Sequence, residues 1–208
     1  MDRQRVGLLI FDDVEVLDFC GPFEVFSCVR LPDQDRRAEM SPFEPLLIAE
    51  GSDPIITTGG MHVIPHHTLA TCPALDVLVV PGGWGVRKEL HNPVMLAWLR
   101  ERAAQVATLA SVCTGSMLLG HAGLLDGRRA TTHWQSLDWM REALPTVTVE
   151  TDQHVVEDGD VITAAGISAG IDMALTIVRR DHGEAVARAT ARYMEYPYPE
   201  TNARRVTL

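Results

Sequence analysis

The chain has 208 residues, of which 46% are hydrophobic and 22% charged, and its formal net charge is -10. That length buries a full core as one α/β domain, residues 1–208, and is short for two; the composition is that of a globular protein. The negative excess repels phosphate backbones and anionic lipid, so neither nucleic acid nor a membrane surface is expected as a partner.

The longest apolar runs, such as residues 75–81 with their one acid Asp76, are too short to span a bilayer. At the N-terminus the apolar stretch 6–11 is cut off by Asp12-Asp13, with no small-residue cleavage site after it, and the expected location is cytoplasmic. The four cysteines, Cys20, Cys28, Cys72 and Cys113, match no zinc spacing and form no CxxC pair. They are expected as free thiols, three of them small buried apolar residues, and neither metal nor cofactor is expected.

Taken in order, residues 6–11 read as a strand buried on both faces, the mark of a parallel sheet. A helix is expected around Gly21-Pro22, a surface loop over 31–44 and a short strand over 46–49. Residues 55–58 and 61–64 flank Gly59-Gly60 as a hairpin. A strand over 76–80 stops at Pro81-Gly82-Gly83, and a helix over 93–105 leads to a strand over 106–112. Cys113-Thr114-Gly115 then opens a helix over 116–121. Further helices are expected over 134–144, 167–180 and 184–193, with strands over 146–150, 153–156 and 161–163. Strands alternating with helices predict a flavodoxin-like doubly wound α/β sandwich, mostly parallel, with helices on both faces.

The residues that carry chemistry gather where strands end. Cys113 follows an apolar strand and precedes small residues that open a helix, the layout of a nucleophile elbow. The helix N-terminus and its free N–H groups are expected to lower the Cys113 pKa and favour thiolate, with the Thr114 N–H placed to receive negative charge. Pro81-Gly82-Gly83-Trp84-Gly85 ends a neighbouring strand; Gly82 and Gly83 are candidate substrate-binding amides, Gly83 as a second oxyanion donor, or simply a chain reversal. Asp18, after the first strand, is a candidate proton carrier with a pKa raised by burial. It also reads as a helix N-cap with Pro22 in the first turn. Glu15, nearer Asp12-Asp13, is the weaker candidate. His133, in Ala130-Thr131-Thr132-His133-Trp134, is a candidate base or a structural histidine. His62, His66, His67 and His154 are assigned no role.

With these residues in view the chain resembles the ThiJ/PfpI (DJ-one) superfamily, the cysteine branch of the glutamine-amidotransferase-like fold. The resemblance runs from Val6 to about Tyr196. It rests on Leu17-Asp18-x-x-Gly21-Pro22, Val80-Pro81-Gly82-Gly83, Ser111-Val112-Cys113-Thr114-Gly115, Ala130-Thr131-Thr132-His133-Trp134 and Gly166-Ile167-Ser168-Ala169-Gly170-Ile171-Asp172. Within the superfamily it is most similar to isocyanide hydratases and to the amidotransferase-like domains of AraC-type regulators.

The resemblance implies a homodimer, a Cys113 thiolate hydrogen-bonded to Asp18, and backbone donors near Gly83 and Thr114. It implies a small-molecule substrate: an isocyanide hydrated to an N-substituted formamide. The alternatives are glyoxalase- or amidase-like chemistry on the same residues, or a non-catalytic small-molecule or redox sensor. Protease-like members carry histidine directly after the cysteine; here that position is Thr114, which argues against peptidase activity. The fold leaves too few residues before Leu208 for a helix-turn-helix reader, which argues against a DNA-binding regulator.

Overall fold

The computed structural model describes residues 3–32 and 34–206. Its centre is a seven-stranded sheet. β1 (Gln4–Leu9), β2 (Phe43–Ala49), β5 (His67–Thr68), β6 (Val77–Val80), β7 (Thr108–Val112) and β11 (Val161–Ala164) are parallel, and β10 (Val155–Asp158) closes one edge antiparallel to β11. The order across the sheet is β10-β11-β7-β6-β1-β2-β5. β6 and β7 are buried at every residue. Their side chains meet helices on both faces, so an unbroken apolar run and not an alternating one is what the sequence must supply. The expected fold class is the one observed.

The helices are α1 (Val16–Cys28), α2 (Val86–Glu89), α3 (Pro93–Ala103), α4 (Gly115–His121), α5 (Leu137–Ala143), α6 (Ala169–His182) and α7 (Glu184–Tyr193). α1, α6 and α7 pack together as one group, and α2, α3 and α4 as another. Phe19, Phe26, Leu8, Leu78 and Leu118 are fully buried between sheet and helices, each such side chain contributing about 2 kcal/mol of burial. Asn92 caps α3, its side chain accepting the Val94 and Met95 N–H groups, with Pro93 at the first helical position. Among the described residues no helix is long and apolar enough to cross a membrane.

Several boundaries move. β2 begins at Phe43, inside the expected loop, because its register with β1 runs from Gln4 opposite Phe43. The Gly59-Gly60 hairpin forms with arms shortened to β3 (Ile55–Ile56) and β4 (His62–Val63). β5 is two residues long and carries no pattern from which to foresee it. The segment expected as one helix from 134 begins with a 3₁₀ turn, Trp134–Ser136, before α5. β8 (Arg129–Ala130) pairs with β9 (Thr148–Val149) as a separate parallel pair, so the strand expected over 146–150 is short and outside the main sheet.

The N-cap reading of Asp18 is overturned. Glu15 occupies the cap position of α1, Asp18 lies inside the first turn, and Pro22 sits mid-helix. Asp18 is instead completely buried. Without an N–H, Pro22 cannot bond the Asp18 carbonyl in the usual i to i−4 way.

β1, β6 and β7 are adjacent and parallel, so their carboxyl ends fall side by side. The chain leaves β1 toward β2 on one side and returns to β6 on the other. The site therefore sits beside the point where the strand order reverses, the place where doubly wound sheets hold ligands.

Candidate active site

Cys113 joins β7 to α4 with φ of 56°. This left-handed conformation is unfavourable for a residue with a Cβ, and it persists only where its surroundings hold it. The holding contacts are visible. The Cys113 N–H donates to the Ala164 carbonyl at 3.0 Å. Its carbonyl accepts the Thr132 hydroxyl at 3.0 Å and the Ser116 hydroxyl at 3.1 Å. Gly166 closes the far side. A Cβ built there would lie 2.6 Å from the Cys113 Cβ and 2.8 Å from its Cα, so only glycine fits, and its own φ of 94° suits only glycine.

Asp18 reaches the same point from α1. Its Oδ2 accepts the Gly82 N–H at 2.9 Å. Its Oδ1 has no partner of ordinary hydrogen-bond geometry, and the Cys113 thiol, a weak donor, lies against this carboxyl. Burial pushes the Asp18 carboxyl well above the usual carboxylate range, against the pull of the Gly82 N–H.

The cysteine departs from expectation. Burial, and then the neighbouring Asp18 carboxylate, push the Cys113 thiol well above its ordinary pKa. The Thr114 N–H and hydroxyl pull the other way and are outweighed. Those donors sit at the N-terminus of the seven-residue α4. Burial raises both groups in one contact, which works against a free thiolate.

The glycine turn after β6 plays a different part from the expected one. The Gly82 N–H is committed to Asp18, and the Gly83 N–H donates to the Thr114 hydroxyl at 3.1 Å. Neither amide is left open toward an incoming oxyanion; both orient side chains that touch the sulfur. Gly82 also needs to be glycine, since a Cβ there would lie 2.6 Å from the Thr114 N and 3.0 Å from the Cys113 Cβ. The Thr114 N–H is the backbone donor directed at sulfur.

His133 is half-buried. Burial and the Arg204 charge lower its pKa, and its ring tilts against Trp134 at 5.8 Å. Among the described residues no hydrogen bond joins it to Cys113. The other thiols differ in setting: Cys28 bonds the Glu24 carboxyl at 2.9 Å and is pushed up to about 12, and burial raises Cys20 and Cys72. Thr132 and Gly166 received no role from the sequence, although both lie in stretches that carried the resemblance. Their spacing from Cys113, 19 and 53 residues, gives no local signal.

The chain is similar to known proteins over most of its length. The family model described as DJ-1/PfpI family matches residues 4–180. Among curated proteins, an isonitrile hydratase of Pseudomonas putida is 38% identical over 193 residues, covering 92% of this chain and 78% of that protein. The transcriptional regulator CdhR of Pseudomonas aeruginosa is 36% identical over 142 residues, 68% of this chain but only 41% of the regulator. Among solved structures, a ThiJ/PfpI family protein from Pseudomonas syringae superposes with a TM-score of 0.83 at 31% identity over 97% of this chain and 79% of that one. An AraC family regulator from Pseudomonas putida, at 23% identity and a TM-score of 0.78 over 92% of this chain and 99% of that one, shares the fold. The chain belongs to the DJ-1/PfpI family.

Proposed function

We propose that this protein is a cysteine-dependent hydratase that adds water to an isocyanide and releases an N-substituted formamide. The observation that carries the reading is the buried Asp18–Cys113 contact, with one carboxyl oxygen fixed by the Gly82 N–H and the carboxyl lying against the thiol. An isocyanide is neutral and linear and has no leaving group. It needs one nucleophile, one movable proton and one water, which is what a pair sharing one proton offers.

The steps balance. As Sγ attacks the terminal carbon, the thiol proton passes to Asp18 and from Asp18 to that carbon, giving a thioimidate, R–N=CH–S–Cys113. Asp18, again a carboxylate, takes a proton from water as the water oxygen bonds to the same carbon. Asp18 passes that proton to nitrogen, the C–S bond breaks with the sulfur leaving with its electron pair, and the hydroxyl proton returns through Asp18 to the sulfur as R–NH–CHO departs. The Thr114 N–H and hydroxyl stabilise the sulfur anion on its way in and out. Similarity to the isonitrile hydratase over most of both chains supports this choice within the family.

The test is incubation of purified protein with cyclohexyl isocyanide, following N-cyclohexylformamide by mass spectrometry, with Cys113→Ala as control. Formamide above that control supports the reading. Its absence, with Cys113-dependent turnover of methylglyoxal or a simple amide, reassigns the chemistry to those substrates.

A second reading is a non-catalytic sensor of small molecules or oxidants. It is favoured by similarity to transcriptional regulators, of which this chain matches 41% and 51% of the length. Failure of every substrate, with ligand-dependent stabilisation retained, selects it. In either reading the protein acts as a homodimer without nucleic acid, in the cytoplasm. Light scattering and a low-salt gel shift test the first two points, and cell fractionation the third.

A further inference from the structure

We propose that Arg204, near the C-terminal end, is a positioning residue for the Cys113 elbow, acting through Thr131 and Thr132. The inference rests on Cys113 being the reactive group. It concerns a residue 91 positions away that touches neither Cys113 nor Asp18.

The route is a continuous chain of hydrogen bonds. Arg204 Nη2 donates to the Thr131 hydroxyl at 2.7 Å and to the Thr132 carbonyl at 3.2 Å. Arg204 Nε donates to the Thr151 carbonyl, and the Arg204 N–H to the Asp152 carbonyl at 2.6 Å. Thr131 is fixed twice more: its hydroxyl donates to the Glu150 carbonyl at 2.8 Å, and its N–H donates to the Thr163 hydroxyl at 2.8 Å. Thr132, the next residue, donates its hydroxyl to the Cys113 carbonyl.

One guanidinium thus ties together the 131–132 segment and the 151–152 segment, and the first of these holds the elbow in its left-handed conformation. Thr131 and Thr132 are completely buried. A lost partner there leaves a buried polar atom unsatisfied, and the segment must shift to recover it. The fork geometry matters: arginine presents several donors in one plane, and a lysine cannot reach the same set.

The adjacent residue separates this role from simple docking of the tail. Residues 202–205 lie along the edge of the sheet, with the His154 N–H donating to the Asn202 carbonyl at 2.8 Å and Gln153 bridged to Ala203. Arg205 turns the other way. It pairs with the buried Asp172 at 2.7 Å and donates to the Tyr196 hydroxyl at 3.0 Å. Arg205 therefore secures the same strap through different partners, Asp172 and Tyr196.

The groups facing the Cys113 sulfur are Asp18 and Glu15 from the start of α1 and the Thr114 donors from the elbow. Loosening the elbow weakens the Thr114 donors and leaves the two carboxylates in place. The experiment follows Cys113 alkylation by iodoacetamide across pH, resolved by peptide mapping, together with thermal unfolding. Arg204→Gln is expected to slow Cys113 labelling at neutral pH by about tenfold and move its midpoint to higher pH, with Cys20 labelling unchanged. Arg204→Lys recovers part of the loss. Arg205→Gln lowers the melting temperature and leaves the Cys113 midpoint where it was.

An unchanged midpoint in folded Arg204→Gln overturns the proposal, as do equal shifts in the Arg204 and Arg205 variants. If Arg204→Gln does not fold, Thr131→Val removes the Arg204–Thr131 bond from the other side, together with the hydroxyl's bond to Glu150, and is held to the same outcomes. Alkylation needs no isocyanide, so failure of the hydratase reading leaves this test intact.

Discussion

The Asp18 carboxyl and the Cys113 thiol share one buried contact, and burial pushes the pKa of each upward. Neither is well placed to ionise while the other is charged. Each group therefore favours its protonated form while the other is charged, and a proton released by one has the other as its nearest acceptor. An addition that needs the same proton removed from sulfur and delivered to carbon fits such a pair.

The pair carries a cost in stability. A carboxyl whose folded pKa is raised binds its proton more tightly in the native state than in the unfolded chain. Its contribution is therefore most favourable below the unfolded value of about 4 and is lost as pH rises toward the folded value. Asp18→Asn keeps the shape, still accepts the Gly82 N–H and carries no charge. It is expected to melt about 4 °C higher than the wild type at neutral pH, the shift roughly 1–2 kcal/mol gives in a chain of this size. The difference should shrink as pH falls to about 4. A variant that melts lower at neutral pH, with the difference constant in pH, contradicts a raised Asp18 pKa.

Gly166 gives a steric test of the elbow. An alanine Cβ would press on the Cys113 Cα and Cβ, neither of which is the free end of a side chain, and would sit at a φ that L-residues avoid. Gly166→Ala is expected to cost on the order of 2–3 kcal/mol in stability and to reduce Cys113-dependent turnover more than tenfold. Urea unfolding and steady-state kinetics measure the two. Wild-type turnover in this variant means that the left-handed conformation of Cys113 is not needed.

Much of this arrangement was legible along the chain. Strand β6 ending in Pro-Gly-Gly and β7 ending in Cys-Thr-Gly are local signals, because apolar runs and turn residues sit beside what they terminate. Parallel strands then bring their carboxyl ends together by topology, which placed Asp18, Gly82 and Cys113 at one edge. What stayed hidden depends on distances the sequence does not encode. The Gly82 and Gly83 amides point inward at Asp18 and Thr114, and only the fold decides that. The thiol pKa was expected to fall because a helix N-terminus is visible in sequence; burial and an opposing carboxylate are not, and they dominate. Arg204 and Thr132 gave no signal, since their partners lie 19 to 73 residues away.

His133 is the remaining candidate base, and the structure gives it a bystander's environment. Burial and the Arg204 charge lower its pKa, and among the described residues no hydrogen bond links it to the sulfur. His133→Gln is expected to leave turnover within about twofold of the wild type, with no new limb in the pH–rate profile. A fall of a hundredfold, with the acid limb of the profile abolished, assigns it a proton-transfer role.

The sharpest prediction separates activation of the thiol from transfer of its proton. Asp18 is a like charge beside the sulfur once ionised, so removing it eases ionisation of Cys113. In Asp18→Asn the thiol titration should therefore move to lower pH, and iodoacetamide should label Cys113 faster at neutral pH than in the wild type. Labelling of Cys20, Cys28 and Cys72 should not change, since Asp18 does not figure among the groups that shift them. Turnover should move the opposite way. The amide cannot carry the proton from sulfur to carbon or take one from water, and the rate is expected to fall about a hundredfold or more. If Asp18 only positioned the cysteine, labelling and turnover would fall together. If it only activated the thiol, both would fall with the titration moving to higher pH. Faster labelling with lost turnover is the outcome that makes Asp18 the proton carrier, and it is read on one variant with two assays.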